Sequence, residues 1–466
     1  MERSLWLDEA LSEDRSEINS LNGDARADVC IIGGGFTGLW TALRLKEAEP
    51  SLDVMILEAD ICGGGASGRN GGFVLSFWAK YGSLAKLCGR PEAGRLARES
   101  ANAVAEIGRF CSAEAIDAHY QGDGWLWAAT SKAQIGSWTN TIEQLAADGH
   151  EPFESLTPAE VARLAGSPTH LGGVLERTAA TVQPARLARG LRRVALRRGV
   201  RIHEGTPMLA LERARPARVR TPRGTVTAQS VVLATNAWGI RFPEIRQAIV
   251  VVSSDIVATQ PIPDKLAKIG WTDGLAISDS RMLVNYYRLT RDGRLIFGKG
   301  GSGKRFPLGS RLGDRFNGAS PNRTEVTQEM RRLYPALAQV PIAKSWHGPV
   351  DRGKYGVPVF GALEGHANIF YGVGYSGNGV GPTFLGGRIL ASLALGRKDE
   401  WSTCGLIQPL TRTFPGDPIR YVAGLAIRGA VAAKDRADDE GRRPGWLATR
   451  LAALAPAGLS PVKQRE

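Results

Sequence analysis

Cysteine is scarce in this 466-residue chain: five residues, at positions 30, 62, 88, 111 and 404, lie scattered with no C-x-x-C pair. That excludes a disulfide framework and fits reduced thiols. The six histidines show no ligand spacing, so no metal is expected. No apolar run approaches the roughly 20 residues that a membrane-spanning helix needs. The opening Met1-Glu-Arg-Ser-Leu-Trp-Leu-Asp-Glu is broken by acids and lacks the apolar stretch of a secretory signal. A cytoplasmic protein without a membrane span is expected.

Acid is the other shortage. Fifty-nine Lys and Arg against 46 Asp and Glu give a net charge of +13, which invites a nucleic-acid reading. The densest basic stretch, Arg186 to Arg223, contains no aromatic side chain on which a base could stack. Within it, residues 185–198 read as an amphipathic helix, with Leu187, Leu191 and Val194 on the apolar side and arginines on a solvated face. Nucleic acid is thus a disfavoured partner, and a flavoprotein acting on RNA stays only as the alternative of another class. The charge can instead steer an anionic substrate.

Glycine is abundant, with 57 residues, and its placement is informative. The apolar run Val29 to Ile32 leads into Gly33, Gly35 and Gly38, with Phe36 and Thr37 inside the turn, and then into a helix with Leu39, Ala42, Leu43 and Leu45 at helical spacing. A second run, Val54-Met-Ile-Leu57, ends in Glu58, which lies 58 − 38 = 20 residues past Gly38. Strand, turn, helix, strand and acid in this order make a dinucleotide-binding βαβ unit. Gly33 permits the tight turn, Gly35 lets the main chain approach a pyrophosphate, and Gly38 lets the helix pack close to the sheet. The helix N-terminus favours the phosphates, and Glu58 is placed to accept from ribose hydroxyls. Just beyond, Gly63 to Gly72 holds six glycines in ten residues, a run that lets backbone lie against a flat ligand. A third strand and glycine turn, Ile369-Phe-Tyr-Gly-Val-Gly-Tyr-Ser-Gly-Asn-Gly-Val380, precede a helix opening at Pro382.

At Ala66-Ser-Gly-Arg-Asn-Gly-Gly72 the chain resembles the D-amino-acid oxidase-like superfamily of FAD oxidoreductases, whose amine-oxidising members carry this motif residue for residue; the γ-glutamylputrescine oxidases are the nearest type. The resemblance covers about residues 25–395. It implies non-covalent FAD held by Gly33, Gly35, Phe36, Thr37, Gly38, Glu58 and Ala59, then by Ser67, Gly68, Arg69, Asn70, Gly71 and Gly72. It adds Met208 beside the adenine and Thr235, Asn236 and Trp238 near the pyrophosphate. Gly374, Tyr375, Ser376, Gly377, Asn378, Gly379 and Val380 would lie at the pyrimidine end of the flavin, where a helix dipole stabilises charge.

The implied fold class is α/β, with an α+β second lobe, since a chain of this length exceeds one core. A discontinuous Rossmann-like FAD-binding domain (1–76, 179–242 and 341–400) carries an inserted substrate domain of β-sheet plus helices (77–178 and 243–340). Residues 401–466 form a helical extension whose helix, Tyr421 to Ala437, is expected to pack on the body. Residues 1–25 read as a polar leader with Trp6 as a possible anchor. Residues 77–178 read as mostly helical around a short strand at Gly124-Trp-Leu-Trp-Ala128.

The resemblance further implies oxidation of the C–N bond of a small primary or secondary amine by hydride transfer to flavin N5, with the imine hydrolysing and O2 reduced to H2O2. The cofactor carries such chemistry, so no catalytic dyad is required. Candidates for the substrate pocket are Phe73, Tyr286, Tyr287, Arg288, Lys299, Trp346, His347, Tyr375 and Asn378; strand alternation puts Tyr286 and Arg288 on one face and Tyr287 on the other. Departures from the sarcosine-oxidase branch open alternatives. Gly381 stands where that branch has a carboxylate-binding lysine, Ser345-Trp-His-Gly348 where it has a flavin-linking cysteine, and Ile296 where it has a lysine aiding oxygen reduction. A dehydrogenase with a non-oxygen acceptor is one alternative. Another is an oxidase of an anionic amine such as an aminophosphonate, anchored by Arg288, Lys299, Lys304 or Arg305.

Overall fold

The structure is a computed structural model that describes residues 2–14, 16–301, 309–313 and 315–456; Lys304 and Arg305 lie outside the described residues. Two large sheets organise it. In the first, Ala25–Ile32 runs parallel to Val54–Leu57 on one side and Gly224–Leu233 on the other. Arg201–His203 and His366–Val373 extend this parallel core outward, and Val359–Leu363 closes one edge antiparallel. A sheet buried on both faces needs near-continuous apolar strands, and Cys30, Ile31, Met55, Ile56, Val231 and Val232 are fully buried.

The helix Phe36–Ala48 packs between the helices Pro382–Ala394 and Pro184–Arg197. Its Trp40 is wholly buried, edge-on to Phe384 at 4.8 Å, and Gly387 makes the crossing possible because a Cβ there would stand 2.6 Å from that of Trp40. This brings the first and third glycine turns to the same end of the sheet.

The second sheet runs in the order Ile342–Gly353, Ile249–Thr259, Leu295–Gly300, Asn285–Leu289, Ala276–Asp279, Trp125–Ala129, Gly172–Glu176, Phe153–Leu156. All its pairs are antiparallel except Ala276–Asp279 with Trp125–Ala129. Register and alternation define two faces. One row crosses the sheet as Trp346, Ile256, Gly298, Tyr286, Ser278, Trp127 and Val174, and this face meets the glycine motifs. The opposite row, Val257, Phe297, Tyr287, Ile277, Leu126 and Leu175, packs beneath the helix Arg323–Leu333 through Val326, Met330 and Leu333.

Several expectations change. Ile342–Gly353, grouped from the sequence with the nucleotide-binding part, is the edge strand of the second sheet. Residues 77–178 contribute three strands to that sheet besides their helices. The leader is a helix, Leu5–Glu13, capped by Ser4, whose hydroxyl also donates to Gly68 O at 2.6 Å. Trp6 is fully buried and its Nε1 donates to Asn70 O at 2.8 Å, so this helix clamps the second glycine motif.

The arginine-rich helix Pro184–Arg197 presents a solvated cationic face only in part, through exposed Arg193 and Arg197. Arg189 and Arg192 are buried and share Glu204 at 2.7 and 3.0 Å, Arg186 pairs with Glu13, and Arg197 and Arg198 pair with Glu114. Local pattern could not reveal this, because the acids arrive from distant segments. The C-terminal helix Ile419–Asp439 docks on the loop between the strands Ala276–Asp279 and Asn285–Leu289, where buried Asp435 accepts from Leu283 N at 2.9 Å and Asp439 pairs with Arg281 at 3.0 Å. Among the described residues no helix is long and apolar enough to cross a membrane.

Candidate active site

The first glycine turn is built by close approaches that only hydrogen at Cα permits. Gly33 has φ +113°, and a Cβ there would stand 2.5 Å from Ala234 O. A Cβ on Gly38 would come within 2.0 Å of Gly33 O. Gly35 caps the helix Phe36–Ala48 without a side chain of its own, so no N-cap side chain stands over the positive dipole end. Ser67 Oγ accepts from Phe36 N at 2.9 Å, which joins the first motif to the second.

Glu58 ends its strand beside this turn, accepting from Gly34 N at 2.7 Å and Asp60 N at 2.9 Å. Burial pushes its carboxyl up to about 7, against the lowering effect of those two amides. Ala59 is exposed beside it, and the segment through Thr206 runs back along Glu58 O to buried Met208. Trp238 lies against Gly65.

In the second motif Asn70 holds the turn, donating to Ala66 O and Ser67 O and accepting from Gly72 N at 2.7 Å. Arg69 reaches outward to Gly64 O, Phe316 O and Asn317. In the third, Ser376 takes φ +57° and its hydroxyl donates to Gly374 O, while buried Asp351 accepts from Gly374 N at 2.6 Å. Tyr375 OH accepts from Thr37 Oγ1 at 2.9 Å, tying the third turn to the first.

An FAD-shaped demand is visible in what these turns leave unmet. Thr235 Oγ1, Asn236 Oδ1 and Asn378 Oδ1 are buried without a hydrogen bond among the described residues. A Cβ on Gly377 or Gly379 would meet nothing closer than 3.7 and 3.8 Å, so this backbone has room to face a flat ring. Three glycine turns, a helix end whose N-cap carries no side chain, an acid and three orphaned polar atoms fit a dinucleotide whose flavin end faces the second sheet.

The profile of the DAO family, FAD dependent oxidoreductases, matches residues 28–393. The chain belongs to this family. It is 32% identical over 398 residues to the gamma-glutamylputrescine oxidoreductase of Escherichia coli (strain K12), covering 82% of this chain and 87% of that one. It is 31% identical over 422 residues to a probable oxidoreductase OrdL of Rhizobium meliloti (strain 1021), covering 88% and 92%. Its fold is similar to that of the glycine oxidase of Geobacillus kaustophilus, with a TM-score of 0.67 at 20% identity over 84% of this chain and all of that one. This DAO-family oxidoreductase therefore uses FAD.

The second sheet brings some of the predicted pocket residues to the flavin side and carries others away. Tyr286 sits between Gly71 and Gly298, edge-on to Phe73 at 5.9 Å, with its hydroxyl 2.7 Å from Ser254 Oγ. Trp346 donates from Nε1 to Arg69 O at 2.9 Å. Arg288 shares the face of Tyr286, while Tyr287 is on the other, stacked on Phe297 at 5.1 Å.

Two expectations are corrected. Lys299 alternates to the outer face, where its buried ammonium pairs with Glu329 at 3.0 Å. His347 also alternates outward, opposite Asp255 and 5.3 Å from the ring of Phe316. Neither faces the glycine motifs.

Arg352, which the sequence did not single out, does. On the strand Ile342–Gly353, Gly348, Val350 and Arg352 share the face of Trp346; Val350 lies near Gly377, the backbone of Arg352 pairs with that of Tyr375, and its guanidinium reaches toward Gly300. No acid pairs with Arg352 among the described residues, its Nε is buried without a hydrogen bond, and burial alone lowers its pKa to about 10. Buried Lys80 lies within electrostatic range; burial first, and then Arg352, bring it down to about 7. The alternation Trp346, Gly348, Val350, Arg352 was the available signal for Arg352; Lys80 ends a short 3-10 turn, Trp78–Lys80, that has none.

Ionised Glu58 is the form that accepts from a ribose, so affinity for FAD should fall as pH drops through about 7 and level off above it. Glu58→Gln should weaken binding about tenfold and flatten that dependence, both read by FAD titration of the apoprotein. Lys299→Met should cost ~1–3 kcal/mol in denaturant unfolding, through the charged donor lost to Glu329, and leave kcat/KM within about twofold.

Proposed function

We propose that the enzyme oxidises the C–N bond of a primary or secondary amine that carries an anionic group, such as a carboxylate, remote from the reacting carbon. The electrons pass to O2, giving H2O2. One observation carries the substrate assignment: Arg352 faces the flavin side, buried and with no acid partner among the described residues, and Lys80 lies within electrostatic range of it. A buried cation of this kind is costly unless a ligand completes it. The relative named for γ-glutamylputrescine fits this reading, because that compound has an amine at one end and an amino-acid carboxylate at the other.

FAD, when bound, supplies a two-electron acceptor for the C–H bond beside nitrogen. Phe73, Tyr286 and Trp127 would wall the reacting end, exclude water and disfavour the ammonium form of the amine, leaving the nitrogen lone pair available. Arg352 would fork the distant carboxylate and fix the distance from anchor to reacting carbon. The outward position of His347 supports non-covalent attachment of FAD.

A second reading for the acceptor rests on the roof strand. Ile296 lies in an apolar cluster with Trp6 and Trp346, and Lys299 points away, so this strand offers the flavin side no ammonium. A quinone or protein acceptor would suit that arrangement. Anaerobic mixing with γ-glutamyl-diamines, simple diamines and aminophosphonates, followed by peroxide assay in air, separates these readings. Bleaching by the carboxylate-bearing amines with stoichiometric peroxide is expected. Bleaching by simple diamines alone would overturn the substrate assignment, and bleaching that only a quinone reverses would overturn the oxygen assignment.

A further inference from the structure

A cavity of about 420 Å³ is lined by no residue of the three glycine motifs. Its volume suits a small molecule. Arg288 and Trp6 line its inner wall, both nearly inaccessible to bulk water, with the guanidinium carbon 5.1 Å from the indole centre. Three more arginines line it, and each already meets an acid: Arg186 has Glu13 and Asp117, Arg291 has Asp117 at 3.3 Å, and Arg294 has Asp292 at 2.7 Å. Arg288 differs. Its Nε is buried without a hydrogen bond among the described residues, and no acid there forms an ion pair with it. Glu9 is the carboxylate that influences it, but Glu9 takes its hydrogen bond from Gln183 at 3.1 Å.

A guanidinium this deep keeps its charge at low cost only when a carboxylate-like fork is presented to it. We infer that this cavity is a binding site for a small organic carboxylate, distinct from the flavin-side pocket, with Arg288 as its anchor and the Trp6 ring as its apolar wall. The site is coupled to the cofactor cradle. Gly72 has φ +78°, and a Cβ on it would stand 3.3 Å from the Arg288 guanidinium, so the anchor rests against the backbone that shapes the second glycine motif. A carboxylate that draws Arg288 toward the cavity loosens that contact, and the flavin spectrum reports it.

The test uses the FAD-loaded enzyme and glutarate as probe, with calorimetry and visible absorbance read together. A saturable glutarate site that persists in Arg352→Met, where the flavin-side anchor is gone, is expected, accompanied by a small shift of the flavin bands. In that background Arg288→Met should weaken glutarate at least about tenfold, and Arg288→Lys should restore part of the affinity. Thr290→Trp, which fills the lining without touching the guanidinium, should also block binding and covers the case in which Arg288→Met misfolds. Unaltered glutarate affinity in Arg288→Met or Thr290→Trp, loss of binding in Arg352→Met, or chloride binding as tightly as glutarate would each overturn the assignment.

Discussion

Gly38→Val is expected to yield a folded but colourless protein that does not retain FAD on purification. The Cβ alone would stand 2.0 Å from Gly33 O and 3.2 Å from Ile31 Cγ2. Neither neighbour can yield cheaply: the carbonyl belongs to a residue at φ +113° and the isoleucine to the central strand. The helix Phe36–Ala48 must therefore lift from the sheet at its first turn, where its dipole and amides would meet the pyrophosphate. Displacement by even one ångström removes several charge-assisted hydrogen bonds at once, so affinity should fall by a factor of roughly a thousand or more. Gly35→Ala gives the graded comparison: its Cβ meets only the Ser67 hydroxyl, at 2.9 Å, and a loss of about tenfold is expected. Gly429→Ala, with open space around it, should keep the wild-type ratio of flavin to protein absorbance. Circular dichroism separates lost cofactor from lost fold, and a yellow Gly38→Val protein with a normal ratio would remove the first glycine turn from the cofactor site.

What the sequence disclosed and what it hid follow one physical division. The glycine turns were legible because their reason is local: a tight turn, a close approach and a helix start are written within about ten residues. Alternation was legible too, and Tyr286 and Tyr287 do fall on opposite faces. Which face meets the cofactor was not, because that depends on how the second sheet docks. Lys299 and His347 looked chemical by residue type, yet each is one residue out of phase with Gly298 and Trp346, which face inward. The arginine helix was misread in part for the same reason, since Arg189 and Arg192 are buried while Arg193 and Arg197 are exposed. Its pattern is that of a wetted face, while Glu204 and Glu114, which neutralise it, come from other elements. Trp6 appeared to be a loose anchor, although its single indole donor reaches Asn70 O at the centre of the second motif. Arg352, on which the substrate assignment rests, stood inside a strand that the sequence grouped with the nucleotide-binding part.

Arg352→Met is expected to leave FAD bound and the fold intact, and to lower kcat/KM by roughly a hundred- to a thousandfold for an amine bearing a remote carboxylate. The replacement nearly matches the stem in volume and removes a buried charge that has no acid partner among the described residues, so the free protein should lose no stability. The substrate suffers instead: truncating one side of a buried, hydrogen-bonded charge pair costs about 2–5 kcal/mol, most of it from the carboxylate left unmatched. Because the anchor also sets how far the reacting carbon stands from the isoalloxazine, part of the loss should appear in kcat and not only in KM. Arg352→Lys should recover part of it, since a point charge replaces the fork. Lys80→Met should cost about tenfold, and less above pH 7, where the ammonium of the free enzyme, already lowered to about 7 by burial, is discharged. A simple diamine with no carboxylate supplies the internal control. It neither gains from Arg352 nor leaves an anion stranded, so its kcat/KM should be unchanged or slightly raised by Arg352→Met. Steady-state kinetics on the two substrates decide the matter: equal losses on both would make Arg352 a structural residue of the second sheet and withdraw the remote carboxylate from the proposed substrate.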